Sequence, residues 1–222
     1  MGGILSGPEI VRLVKQARAH NALKFTPADP KADWPAPVPG IEIEPFDPGR
    51  CGPNSYDVLL SDQIRVYRIA SARRAHPELF DGDRSVLPDG VDMRNPPPTL
   101  LTTIPADGMW LYPGVLYLGA TVESTLCYGL VPWLDGRSSV GRLGLSIHVT
   151  AGRGDDGWKG VWTCEITAVA HPVKVYPNER FGQLTFFTLV GQRKAYTGRY
   201  QDQAGPTESR MHLDPRTERQ TP

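Results

Sequence analysis

The 222-residue sequence predicts a mainly β fold of the barrel or sandwich type, with one short N-terminal helix and a polar, flexible C-terminal arm. Three observations predict it. From Leu100 onward, short apolar segments recur between glycines and prolines, at 110–112, 115–122, 130–134, 173–176 and 181–189. Two longer segments, 56–67 and 161–169, alternate apolar and polar residues with the period of a half-buried strand. Residues 6–20 instead place Ile10, Leu13, Val14 and Ala17 at helical spacing, behind a serine cap and a first-turn proline.

The remaining stretches follow in order. Prolines recur from 25 to 48 around the alternating Ile41-Glu42-Ile43-Glu44, which predicts an extended loop flanking one short strand. Gly52-Pro53-Asn54-Ser55 is turn chemistry leading into the strand over 56–67. Residues 71–98 are rich in Arg, Asp, Gly and Pro without a period and read as a long irregular insertion. Residues 196–210 are too polar to form a core, so taken alone they read as a disordered end. We therefore divide the chain into a body over 1–195 and an arm over 196–222. With 40% hydrophobic residues, the body can form one sizeable core.

Lys plus Arg equals Asp plus Glu at 24 each, so no global field draws nucleic acid or an anionic membrane. No apolar run approaches the roughly 18 residues of a membrane span, and the N-terminus lacks a signal-peptide pattern; a cytoplasmic protein is expected. Cys51, Cys127 and Cys164 are odd in number and widely spaced, which suits neither a disulfide framework nor zinc, and they read as buried thiols. His76-Pro77-Glu78 matches one half of the zinc nucleobase deaminase signature, but the P-C-x-x-C half is missing from the sequence.

The densest chemistry lies in 131–160. Arg137, Ser138, Ser139 and Arg142 fall within six residues among Gly136, Gly141 and Gly144, so cations and hydroxyl donors converge where backbone can approach a ligand. Guanidinium forks match phosphate oxygens in pairs, which makes this an anion site by composition; a polar turn whose arginines reach surface carboxylates is the alternative. In 161–169, Trp162, Cys164, Ile166 and Ala168 share one face, and Thr163, Glu165 and Thr167 the other. Glu165 is then either an ordinary solvent-facing glutamate or a carboxylate in a polar site.

Read together, these segments resemble the dCTP deaminases, the metal-independent branch of the dUTPase-like superfamily. The resemblance rests on Ile4-Leu5-Ser6, PNSYDV at 53–58, LYPGVLYLGATVES at 111–124, LDGRSSVGRLGL at 134–145, TAGRGDDGWKG at 150–160, TCEI at 163–166, YPNERFGQL at 176–184 and RYQDQAGPTESR at 199–210, in the family's order. It implies a dUTPase-like β-barrel or sandwich of the β-clip type, assembled as a homotrimer with sites between subunits. It also implies catalytic roles for Glu165 as proton shuttle, with Ser138 and Arg142 orienting water. Substrate contacts are implied for Arg137, Ser139, Val140, Gly141, Ala151, Gly152, Asp155, Thr163, Cys164 and Gln183, and in the arm for Tyr196, Arg199 and Gln203. Arg199 stands where the family usually has lysine.

The implied reaction is hydrolytic deamination of dCTP to dUTP and ammonia, continuing to dUMP and pyrophosphate in some members. Mg2+ would arrive on the triphosphate and zinc is not needed; dTTP is the expected inhibitor, and no nucleic acid polymer or membrane is involved. Thr150-Ala151-Gly152-Arg153 carries the glycine of the dUMP-forming type, whose missing imidazole leaves space for a water that Asp155 or Asp156 could order. A dUTP pyrophosphatase without deaminase activity and a non-catalytic regulatory trimer are the alternatives.

Overall fold

A computed structural model describes residues 2–20 and 40–214. In chain order its elements are α1 (Gly7–His20), β1 (Gly40–Glu44), β2 (Tyr56–Tyr67), α2 (Ala70–Ala75), β3 (Thr99–Thr103), β4 (Met109–Leu111), β5 (Tyr117–Tyr128) and β6 (Leu130–Gly136), then α3 (Ser138–Gly141), β7 (Leu145–Ser146), β8 (Lys159–Ala168), β9 (Val173–Val175) and β10 (Arg180–Thr188). Every pairing among these strands is antiparallel. The main sheet runs β6-β10-β2-β5-β8-β7, with β1 added to β5 and β3 to β2, while β4 and β9 form a separate pair. The mainly β class holds, and among the described residues no helix is long and apolar enough to cross a membrane.

Strand β5 organises the sheet: along one edge residues 117–121 pair β2 and 124–128 pair β1, and along the other it pairs β8 with a register shift between Ala120 and Ser124. The apolar segment read from the sequence ends at Val122, ahead of the polar Glu123 and Ser124. The structure carries it on to Tyr128 because Glu123 is fully buried and ion-paired to Arg50, with the Leu59 amide donating to its second oxygen at 3.0 Å. A buried carboxylate is tolerated inside a strand when it is paired and hydrogen-bonded in this way.

Helix α1 buries Ile10, Leu13 and Val14 of the stripe its spacing predicts, while Ala17, the fourth member, is only half-buried. Of the proline-rich stretch, residues 21–39 lie outside the described residues, and β1 forms where the alternation over 41–44 places it. The 71–98 insertion is less irregular than its composition suggests. Helix α2 and a 3₁₀ turn at Pro77–Phe80 bury Ala72, His76 and Phe80 against the body. His76 Nε2 lies 2.8 Å from the Tyr117 hydroxyl and Nδ1 3.0 Å from Glu78, so the H-P-E triplet is a packing feature. Strands β3 and β7 have no clear sequence signal; β3 is a half-exposed threonine-rich edge and β7 is two residues long. Cys127 and Cys164 are buried free thiols, whereas Cys51 is only half-buried, correcting the expectation for that residue.

Candidate functional site

Glu165 projects from the half-exposed face of β8, where burial alternates as the sequence pattern requires: Trp162, Cys164, Ile166 and Ala168 are buried, Thr163, Glu165 and Thr167 partly open. The backbone amide of Val149 donates to Glu165 Oε2 at 2.8 Å, which fixes the orientation of the carboxylate through one of its two oxygens. Residues 149–155 are held beside it because 152–154 add to the outer edge of β6. The Leu134 amide donates to the Gly152 carbonyl at 2.6 Å and the Gly154 amide to the Pro132 carbonyl at 2.8 Å.

Glycine is needed at 152. A Cβ there would sit 2.4 Å from the Leu134 carbonyl oxygen, 3.1 Å from the Trp133 indole nitrogen and 3.2 Å from His148 Nε2. Any side chain at this position would thus meet the Leu134 carbonyl and the ring nitrogens of Trp133 and His148. Asp156 is not available to order a water: it is buried and accepts two hydrogen bonds from Arg193, both 2.7 Å, and one from the Gly129 amide at 2.9 Å. Asp155, next to it, is exposed.

A cavity of about 490 Å³ opens over Glu165. Ala151 and Asp155 line it from the loop, Thr163 and Glu165 from β8, and Tyr196 and Gln203 from the arm, so six of the residues singled out in the sequence meet here. Aromatic walls that sequence reasoning missed complete it: Tyr67, Trp158, Trp162 and Tyr200. Trp158 and Trp162 meet edge to face at 5.0 Å between ring centres. Trp162 carries a strand-alternation signal, but nothing in the sequence marks the other three as neighbours of Glu165. Arg153, part of the 150–160 motif, also lies on the wall.

The arm owes its order to the body. Residues near Gln203 run parallel to β8, with the Val161 amide donating to the Gln203 carbonyl at 2.9 Å and the Asp202 amide to the Lys159 carbonyl at 2.8 Å. Gly160, at φ +151, permits this approach, since a Cβ would lie 2.9 Å from the Gln203 nitrogen. Further along, the Thr207 amide donates to Thr163 Oγ1 at 3.1 Å and Arg65 Nε to the Pro206 carbonyl at 2.7 Å. Composition alone makes 196–210 a disordered end; the structure corrects this for the described residues, because the edge of β8 supplies the partners that the arm's own side chains lack.

Other expected site residues lie elsewhere. Ser138, Ser139, Gly141 and Arg142 are exposed on or beside α3 and do not line the cavity, while Val140 points inward and is buried. Arg137 pairs with Asp57 at 3.2 Å, and Asp57 also meets Arg180 at 3.4 Å. Gln183 sits on β10, in register with Asp57 on one side and Asp135 on the other. Cys164 faces the core, where burial, reinforced by the neighbouring Glu165 charge, pushes its thiol up to about 12; it is an apolar packing group with no surface toward the cavity. Arg199 is engaged within the arm, donating to the Arg210 carbonyl at 2.6 Å and pairing with Asp214 at 3.1 Å.

A family model described as dCTP deaminase-like matches residues 38–189. The chain belongs to the dCTP deaminase-like family. Among its relatives is an enzyme named dCTP deaminase, dUMP-forming, of Clostridium beijerinckii, 43% identical over 175 residues, which span 78% of this chain and 90% of the relative. A relative of the same name from Leptospira biflexa is 41% identical over 78% of this chain and 89% of its own length. The crystal structure of a 2'-deoxycytidine 5'-triphosphate deaminase from Agrobacterium tumefaciens aligns with a TM-score of 0.53 at 18% identity, covering 84% of this chain and 48% of that one; this likeness concerns the fold alone. Of the expected site residues, six thus line the cavity around Glu165, while Ser138, Ser139, Gly141 and Arg142 lie together outside it on an exposed surface.

Proposed function

We propose that this chain deaminates dCTP at cytosine C4 and carries the product on to dUMP and pyrophosphate. The observation that carries the reading is Glu165, seated in a cavity with aromatic walls and held by the Val149 amide. In the proposed reaction Glu165 takes a proton from water as its oxygen adds to C4 and passes it to N3; it then takes the remaining proton from the new C4 hydroxyl and delivers it to the exocyclic amine. The C4–N bond breaks as the C4 carbonyl forms, ammonia leaves, and N3 keeps its proton in the uracil product. Donors preorganised around the developing charge contribute roughly 3 to 4 kcal/mol each in comparable sites, and Ser138 and Arg142 take this role. The names borne by relatives at 41–43% identity support the continuation to dUMP.

Within one chain Ser138 and Arg142 do not line the Glu165 cavity, so the complete site is assigned to a homotrimer in which the 137–142 strip of one copy closes the cavity of the next. Exposed apolar residues beside both halves support this assembly: Leu143 is 57% and Val149 60% exposed. Arg137 and Ser139 would then meet phosphate oxygens, with Arg137 exchanging part of its contact with Asp57. Mg2+ would enter on the triphosphate, where its chemistry is to neutralise phosphate charge. The exposed carboxylate of Asp155 on the cavity wall is the kind of hard oxygen donor it accepts. dTTP, of similar size and charge, would compete for the cavity.

Incubation with dCTP and Mg2+ followed by nucleotide chromatography tests the reading. Equal amounts of ammonia, dUMP and pyrophosphate are expected. Ammonia with accumulating dUTP would limit the activity to deamination, and conversion of dUTP with dCTP untouched would make the chain a dUTP pyrophosphatase.

A further inference from the structure

We propose that Arg65 is a positioning residue for the Glu165 cavity: from β2, and with Thr99 of β3, it latches residues 205–208 of the arm in place and so holds the cavity closed on that side. This rests on the reading of the cavity as a nucleotide site. Gln63, Arg65 and Tyr67 alternate along β2 and share one face. The arm follows that face. A Cβ on Gly205 would lie 2.9 Å from Gln63 Oε1, Arg65 Nε donates to the Pro206 carbonyl at 2.7 Å, and Tyr67 lines the cavity together with Thr207, Glu208 and Ser209.

The chemistry of the arm calls for such a donor. Pro206 is buried and carries no N–H, so at this point the arm cannot continue a strand-like ladder and offers only a carbonyl acceptor. Arg65 supplies the donor. Its second contact is a relay through β3. Thr99 stands opposite Tyr67 in the register of β2 with β3, and is thus diagonal to Arg65 on the same face. Arg65 Nη1 donates to Thr99 Oγ1 at 3.0 Å, the Thr99 hydroxyl donates to Glu208 Oε2 at 3.2 Å, and the same carboxylate oxygen lies 3.4 Å from Arg65 Nη1.

Glu208 is on the cavity wall, where an uncompensated carboxylate would repel a polyanionic nucleotide, and Arg65 neutralises it there. The hydrogen bonds of 202–207 to β8 are between neutral groups and give the arm its path. The guanidinium contacts are charge-assisted, and one substitution on β2 removes them. An arm closed in only a fraction of the molecules weakens apparent substrate binding by that fraction and leaves the chemistry at Glu165 as it was. Arg65 therefore acts on KM, through the arm.

The test compares the full wild-type chain with Arg65→Gln, Arg65→Lys, Glu208→Gln and the combination of Arg65→Gln with Glu208→Gln. Trypsin cleavage after Arg199 and Arg210 is followed by mass spectrometry, beside ammonia release from dCTP and melting curves. In Arg65→Gln, cleavage of the arm without ligand should accelerate about five- to tenfold and the KM for dCTP should rise by a similar factor. Its kcat should stay within about twofold and its Tm within about 3 °C of wild type, and Arg65→Lys should fall between the two. Glu208→Gln should speed cleavage less, and not at all when added to Arg65→Gln, because its partner is then gone. Cleavage and KM both within about twofold of wild type in Arg65→Gln overturn the latch. So does a fall in kcat and Tm that matches the rise in KM, which makes Arg65 a stabilising residue of the sheet. A wild-type protein that releases no ammonia, but whose arm is freed by Arg65→Gln, would keep the latch and remove the deaminase reading, so the two fail separately.

Discussion

Glu165→Gln separates the chemistry from the architecture. The Val149 amide donates to Glu165 Oε2 at 2.8 Å, and a glutamine carbonyl oxygen can accept the same bond. Replacing a charged acceptor by a neutral one at a partly open site changes stability by less than about 1 kcal/mol. The amide cannot take up and return a proton, and each general acid or base step is worth roughly 100- to 10,000-fold. With both protons of the attacking water routed through one group, we expect kcat to fall by at least about 10,000-fold, while binding of dCTP stays within a few-fold. The assay is ammonia release at saturating dCTP beside calorimetric binding and a melting curve. Turnover within tenfold of wild type would refute the assignment of Glu165. A fall in Tm beyond about 5 °C, together with lost binding, would show instead that the carboxylate serves the structure.

If the site is shared between copies, Glu165→Gln and Arg142→Ala chains mixed and reassembled as trimers should regain activity at about a quarter of their sites; assay of the mixture against each variant alone checks this, and no recovery would place both residues in one subunit's site. Arg50→Ala, which leaves the buried Glu123 carboxylate unpaired, should cost about 3–5 kcal/mol in urea unfolding. Burial of Glu42 raises its carboxyl above the ordinary value, outweighing nearby Lys159. Folding is therefore opposed at neutral pH, relieved as pH falls through the folded pKa, and the difference disappears below the unfolded value near 4.3. Glu42→Gln should accordingly raise Tm at pH 7 and have no effect near pH 3. Truncation after Thr197 should raise the KM for dCTP at least about tenfold without unfolding the body, because the removed segment is held by hydrogen bonds and exposes little apolar surface; equal KM values would mean that the arm does not touch substrate.

Local pattern was enough for the elements whose energetics are local. The stripe of α1, the alternation of β2 and the two faces of β8 follow from side-chain period, so the sequence alone assigned Glu165 to an open face. Motif order identified the family, and six expected site residues do line one cavity. What escaped depended on partners distant in the chain. Glu123 looked like a strand end until Arg50, 73 residues away, accounted for its charge. The arm looked disordered because its order comes from the edge of β8 and from Arg65, not from its own composition. That Gly152 lies against the Leu134 carbonyl and the Trp133 and His148 rings follows only from its pairing along β6. Arg199 and Arg153 are equivalent cations in a sequence, and only the tertiary structure turned one to Arg210 and Asp214 and left the other on the cavity wall, because those partners come from chain segments brought together by the fold.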